Sequence, residues 1–149
     1  MEIRQATAED AQAIHDLHTR SVRTICSGVY PSEIIDGWLE GRSPDGYTGI
    51  ARGEMYLIEM DDQIAAWSHV RATGLVALFV DPDYTGQGLG RRLMEHADRL
   101  VQSFGNQITT IGATFNAVGF YEKFGFVETG RDTIQKGNVS VPMVHMMRE

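Results

Sequence analysis

LVALFVDPDYTGQGLGRRLMEHADRLVQSF, residues 75–104, is the stretch whose reading decides the fold. It divides into a strand, a breaker, a glycine-rich loop and a helix. Residues 75–80 are an unbroken apolar run, which predicts a strand buried on both faces. Asp81, Pro82 and Asp83 end it. Gly86, Gly88 and Gly90 follow at alternate positions, and Leu89, Leu93, Ala97, Leu100 and Phe104 then recur at helical spacing up to a stop at Gly105. The first N–H groups of a helix have no partner within it and lie at the positive end of its dipole. Glycines just ahead of them let the backbone come close to a phosphate. The junction is therefore a candidate anion site. It is neither a dinucleotide fingerprint, since the third glycine of GxGxxG is missing, nor a P-loop, since no GxxxxGK[ST] string occurs.

A second stretch, TFNAVGFYEKFGF at residues 114–126, predicts a short helix opened by Thr114 or Asn116 and stopped by Gly125. Together the two stretches resemble the GNAT superfamily, the acyl-CoA-dependent N-acyltransferases. Residues 80–90, VDPDYTGQGLG, resemble its V-x-P-x-Y-[RQ]-G-x-G-[ILV]-G element. Ala117, Phe120, Tyr121, Gly125 and Phe126 match its N-x-x-A-x-x-[FL]-Y-x-x-x-G-F element. Thr85 departs from the usual Arg or Gln, and Thr114 from the usual Asn.

The resemblance implies acetyl-CoA as cosubstrate and no metal. The pyrophosphate would rest on the backbone of Gly86, Gln87, Gly88, Leu89, Gly90 and Arg91, with Thr85 beside it. The pantetheine arm would bond to Leu78, Phe79 and Val80 on the central strand and to Thr114 or Asn116. A bulge near Phe79 and Val80 would supply an oxyanion donor. Tyr121 matches the family's general acid, and a phenol with a pKa near ~10 holds its proton at neutral pH. The residues leave the general base open. His69 is the first candidate because it shares a strand face with Trp67, and Asp81, Glu59 and His145 are the others.

At 149 residues, with 42% apolar and 22% charged, the sequence predicts one domain spanning 1–149. A net charge of -7 argues against nucleic acid as a partner and favours a cationic acceptor such as an amine. A lone cysteine, Cys26, forms no internal disulfide and points to a reducing compartment. With no apolar leader and no apolar run long enough for a membrane, the reading is a soluble cytoplasmic protein without a membrane partner. His15 and His18 stand at i, i+3, but no Cys/His cluster accompanies them, so a metal is not expected.

In order, the elements read β-α-α-β-β-β-α-β-α-β-β. This is an α+β layered fold: a mixed, mostly antiparallel twisted sheet of about seven strands with helices on both faces. The resemblance adds that the central parallel strand pair splays apart to admit the cofactor arm. It also makes the early helices one wall of the acceptor site, with Tyr30, Trp38 and Cys26 as candidates and Trp67 on the facing strand. Pro142 demotes part of the run at 139–147 to an edge or a bulge, and an edge strand near Val139 to Met147 offers pairing in a homodimer. The function expected is transfer of an acetyl group from acetyl-CoA to a primary amine of a small molecule or peptide, by direct attack in a ternary complex. The alternative is a non-catalytic acyl-CoA sensor or regulatory module.

Overall fold

The computed structural model describes residues 2–149. Its strands are β1 (Ile3–Gln5), β2 (Met55–Met60), β3 (Gln63–Arg71), β4 (Gly74–Val80), β5 (Thr110–Ala113), β6 (Val127–Lys136) and β7 (Val139–Met147). Its helices are α1 (Ala11–Thr24), α2 (Ser32–Leu39), α3 (Leu89–Ser103) and α4 (Val118–Glu122), joined in places by single 3-10 turns. The fold is α+β, as expected. Two compact units are distinguished, one taking the chain up to Ser21 and Ser43–Ile108, the other Val22–Arg42 and Thr109–Glu149.

The first unit holds a four-stranded antiparallel sheet in the order β1-β2-β3-β4. The β2–β3 turn places Asp61 and Asp62 at φ 52° and 62°, left-handed values that suit a tight hairpin and that Asp tolerates better than bulkier residues. Helices cover both faces. On one side Ile14 and Leu17 of α1 pack with Ala6, Met55, Leu57 and Trp67. On the other, Leu89 and Leu93 of α3 pack with Ile58, Ala65 and Ala66. The Asp10 carboxylate accepts the Thr7 N–H at 2.8 Å and pairs with Arg4 at 2.9 Å, fixing the entry to α1.

β4 differs from its sequence reading. None of its residues is buried, and Val76 is 49% exposed. The apolar run does face a helix on each side, but β4 is the outer strand of its sheet and its far flank has no ladder partner. The bulge is also displaced. Ala77 pairs with His69 and Leu75 with Val70, so Val76 is the extra residue, whereas Phe79 and Val80 pair regularly with Trp67 and Ala66. A bulge near Phe79 and Val80 is therefore not formed. Nor is a parallel ladder: among the described residues every strand pairing is antiparallel.

The second unit holds a three-stranded sheet in the order β5-β7-β6. β7 is its middle strand over Val144–Met147, and an edge is left only in the part that holds Pro142. Met147 to Val144 pair with β5 while the whole of β7 pairs with β6, so Val139 to Met143 have a ladder partner on one flank only. Pro142 is tolerated because it lies beyond the span that β5 reaches. Its carbonyl accepts the Tyr30 hydroxyl, so no ladder bond is asked of its missing N–H on that flank.

α2 lies close to the β6–β7 turn. The Asn138 N–H donates to the Gly37 carbonyl at 3.2 Å, and the Asn138 amide donates to Glu40 at 2.6 Å. A Cβ on Gly37 would stand 2.1 Å from Val139 Cγ1, so the approach requires glycine there. Ala is the better helix former by about 1 kcal/mol, and overpacking costs about 1–3 kcal/mol. The Gly37→Ala variant is therefore expected to lose stability in urea unfolding, while Gly28→Ala, where an added Cβ meets nothing within 4 Å, should change little. A Gly37→Ala protein more stable than the parent would show that the contact gives way.

Candidate functional site

The first unit brings the loop and the start of α3 into a defined form. Asp81 is 3% exposed and pairs with Arg20. It accepts the Asp83 N–H at 3.0 Å, and its own N–H donates to the Ala65 carbonyl at 2.8 Å. The carboxylate is thus held by structure and is not a free base. Thr85 to Gly88 are exposed, and the Thr85 hydroxyl donates to the Pro82 carbonyl at 3.3 Å. Gly86 and Gly88 have φ of 77° and 80°. A Cβ on either would meet nothing within 4 Å. What demands glycine here is the left-handed backbone, and the space beside it is open.

Gly88 caps α3 without a side chain, and the first intrahelical bond runs from the Arg92 N–H to the Gly88 carbonyl at 3.1 Å. The amides of Leu89, Gly90 and Arg91 precede that bond. Leu89 and Gly90 are buried, so the loop is anchored at this end. The Arg91 side chain is 74% exposed and lies 3.4 Å from Glu95, within a solvated face. This donor set, backbone N–H groups at the positive end of a fifteen-residue helix, fits a pyrophosphate. The open flank of Leu78, Phe79 and Val80 fits the amides of a pantetheine arm, which can bond to it as an added strand would.

His69, the candidate base, spends Nε2 on Glu54 at 2.9 Å, with Arg52 and Arg71 at 3.9 and 3.8 Å from the same carboxylate. The His69 hydrogen bond holds the Glu54 carboxyl below its ordinary range. Trp67 is 2% exposed and lies among His18, Tyr47 and Phe79. His18 Nδ1 is 3.1 Å from the Tyr47 hydroxyl. Sequence reasoning missed this pair. Tyr47 stands 29 residues from His18 in a segment without periodicity, so no local pattern joins them.

The second unit carries the other motif. Thr114 occupies the cap position of the 3-10 turn Phe115–Ala117, but its side chain makes no capping bond. Asn116 is exposed and accepts the Cys26 thiol at 3.4 Å. Burial pushes that thiol up to about 11, so Cys26 is no thiolate nucleophile at neutral pH. Tyr121, on α4, is 6% exposed beside Phe120 and Phe126, and burial pushes its phenol well up. Tyr30 stacks on Phe115 at 4.9 Å, accepts the Phe115 N–H and donates to Pro142. Trp38 packs edge-on to Tyr30 and under Lys136. Both rings are buried. Among the described residues, no group of three or more His, Cys, Asp or Glu is placed to hold a metal ion, and no helix is long and apolar enough to cross a membrane.

Residues 42–147 match the family model described as Acetyltransferase (GNAT) domain. The chain belongs to the GNAT acetyltransferase family. It is 30% identical over 149 residues to the peptidyl-lysine N-acetyltransferase YjaB of Escherichia coli, covering 97% of this chain and 94% of that one. The match to YjaB of Salmonella typhimurium is 38% over 71 residues, 48% of each chain. Among solved structures, a GCN5-related N-acetyltransferase from Rhodopseudomonas palustris superposes with a TM-score of 0.87 at 22% identity, covering 99% of this chain and 94% of that one. PaiA N-acetyltransferase from Thermoplasma acidophilum, in complex with coenzyme A, gives 0.77 at 21%, covering 99% and 98%.

For a GNAT acetyltransferase, the two departures from the motif become concrete. Thr85 brings no cation to the loop, and its hydroxyl is turned to Pro82. Thr114 keeps a hydroxyl that capping does not use.

The Glu54–His69 pair has a consequence for pH. A carboxyl whose folded pKa lies below its unfolded value stabilises the fold above that value and loses the contribution as pH falls through the folded pKa. Glu54 is lowered from 4.5 by His69 first. The gap in melting temperature between the parent and Glu54→Gln should therefore be open near neutral pH and close as pH drops below 4.5. A gap that stays constant through that window would contradict the pairing.

Proposed function

We propose that this GNAT protein transfers the acetyl group of acetyl-CoA to a primary amine, with the side-chain amine of a peptide lysine as the acceptor class. The reading is carried by one observation: left-handed Gly86 and Gly88 open onto the amides that start α3, directly after a strand with an open flank. The lysine acceptor is supported by the named activity of the YjaB relatives. The net charge of -7 suits a cationic acceptor. A buried free cysteine suits a reducing, cytoplasmic compartment. The family match runs from 42 to 147 and so draws on both compact units, which supports treating them as one functional domain.

Bound acetyl-CoA supplies an activated thioester for direct attack by the amine. The backbone from Gly86 to Arg91 holds the pyrophosphate, and the β4 flank orients the arm. Thr114 and Asn116 add polar contacts to it. Tyr121 donates the proton that the departing sulfur takes up. Burial holds that phenol above its ordinary pKa, so it keeps its proton at neutral pH and stands as a hydrogen-bond donor to the sulfur.

Two variants test the parts separately. Gly88→Val forces a branched residue into a left-handed position, so acetyl-CoA affinity by calorimetry should fall by roughly tenfold or more, about 1.4 kcal/mol. Unchanged affinity in a folded variant would remove the loop from the cofactor site. Tyr121→Phe keeps the ring and its packing, so affinity should hold while kcat falls by about 10²–10⁴-fold. If turnover survives intact, Tyr121 is a packing residue. If the parent binds acetyl-CoA but acetylates no amine, the protein is a sensor module and not an enzyme.

A further inference from the structure

The strand ahead of the glycine loop and the helix packed on it give up their apolar character at the same place. Ala77 and Phe79 of β4 pack with Ile14 and Leu17 of α1, whereas Leu78 and Val80 pack on the side of Leu89 and Leu93 of α3. Asp81 is still extended, at φ -60° and ψ 135°, so alternation puts it next on the α1 side. On α1, the stripe of Ile14 and Leu17 runs on at helical spacing to Arg20. The two stripes end against each other as the Arg20–Asp81 ion pair, between residues 61 apart in the chain.

The partners differ in exposure. Asp81 is buried, and the Arg20 side chain is half in solvent. A carboxylate so far out of water needs a compensating charge. Its Oδ2 takes that charge from one guanidinium nitrogen, Nη2, while Oδ1 accepts the Asp83 N–H at 3.0 Å. The pair stands at the entrance to an anion site. Asp81 and the exposed Asp83 are two carboxylates just ahead of Gly86 and Gly88. Thr85 brings no cation between them and the glycines, and the Arg91 guanidinium is in solvent beside Glu95. Without a partner, Asp81 would repel a pyrophosphate through a poorly screened interior, where a charge acts more strongly than in water.

We propose that Arg20 is a positioning residue for acetyl-CoA: from α1 it neutralises Asp81, and so makes a loop without a cation of its own receptive to the phosphates. The proposal rests on the acetyl-CoA reading and adds to it a residue outside both sequence motifs. Arg20 acts through Asp81 and has no part in the chemistry at the thioester. Phosphate binding therefore depends on it, and the rate of transfer from bound cofactor does not.

The test measures acetyl-CoA affinity by calorimetry on the full chain at low salt, together with turnover. Arg20→Gln should weaken acetyl-CoA by about tenfold and leave kcat at saturating acetyl-CoA unchanged. Arg20→Lys keeps the charge for a contact made through one nitrogen, so it should bind as the parent does. Asp81→Asn keeps an acceptor for the Asp83 N–H and releases the Arg20 charge. It should tighten acetyl-CoA, and less so as salt screens the half-exposed guanidinium. Removing both charges in Arg20→Gln with Asp81→Asn should return the affinity close to the parental value. S-acetylpantetheine has no phosphate, so kcat/KM with it as donor should be equal in the parent and in Arg20→Gln. Equal losses with both donors, or a double variant as weak as Arg20→Gln, would make the pair a mechanical brace and overturn the proposal. Where Arg20→Gln does not fold, Asp81→Asn decides by itself, and an affinity that is unchanged or lower overturns it. A parent that binds no acetyl-CoA removes the cofactor reading and this proposal with it, whereas a binding parent matched by Arg20→Gln overturns the proposal alone.

Discussion

Backbone N–H and C=O groups demand partners, and this chain leaves two consecutive sets of them open: the outer flank of β4 and the first turn of α3. The rest of the first unit serves to hold those groups in place. Leu89 and Leu93 bury the base of α3 against Ile58, Ala65 and Ala66. The Arg20–Asp81 pair and the bond from Asp81 N–H to Ala65 fix the point where strand becomes loop. Gly86 and Gly88 then turn the backbone through left-handed conformations that a side chain would strain. A ligand with two amides in an arm and a pyrophosphate at its end is complementary to this run of groups.

Placing recognition in the backbone has a consequence for tolerance. Thr85 lacks the positive or amide side chain that resembling proteins carry, and the Arg91 guanidinium is mostly in solvent beside Glu95. Neither departure removes an N–H from the loop, so the proposed cofactor site tolerates substitutions that would disable a side-chain cluster. It also keeps the loop nearly free of charge in a protein of net charge -7. The environment of Tyr121, proposed as the acid, is specified differently, by burial against Phe120 and Phe126.

The parts legible in the sequence are local ones. Glycine spacing and the helical period announced the loop and α3, and the Asp61–Asp62 turn and the stops at Gly105 and Gly125 follow from neighbouring residues alone. Errors arose where a residue's role depends on distant partners. The run at 75–80 reads as a fully buried strand, but whether a strand is central or outer is set by pairing and not by composition. Pro142 reads as an edge signal for part of the last run, and it does stand where β7 has only β6 beside it, but the pairing of Val144–Met147 with β5 makes the rest of β7 a middle strand. The burial of Tyr30 and Trp38 likewise depends on partners far away in sequence. His18 and Tyr47 meet only in the fold.

The central claim is that one continuous backbone stretch receives acetyl-CoA. The direct measurement is an amide chemical-shift titration of the isotope-labelled protein with coenzyme A. The account predicts the largest changes at Leu78, Phe79 and Val80 and from Gly86 to Arg91, saturating together with one affinity. Changes confined to other segments, or separate affinities for the strand and the loop, would contradict it.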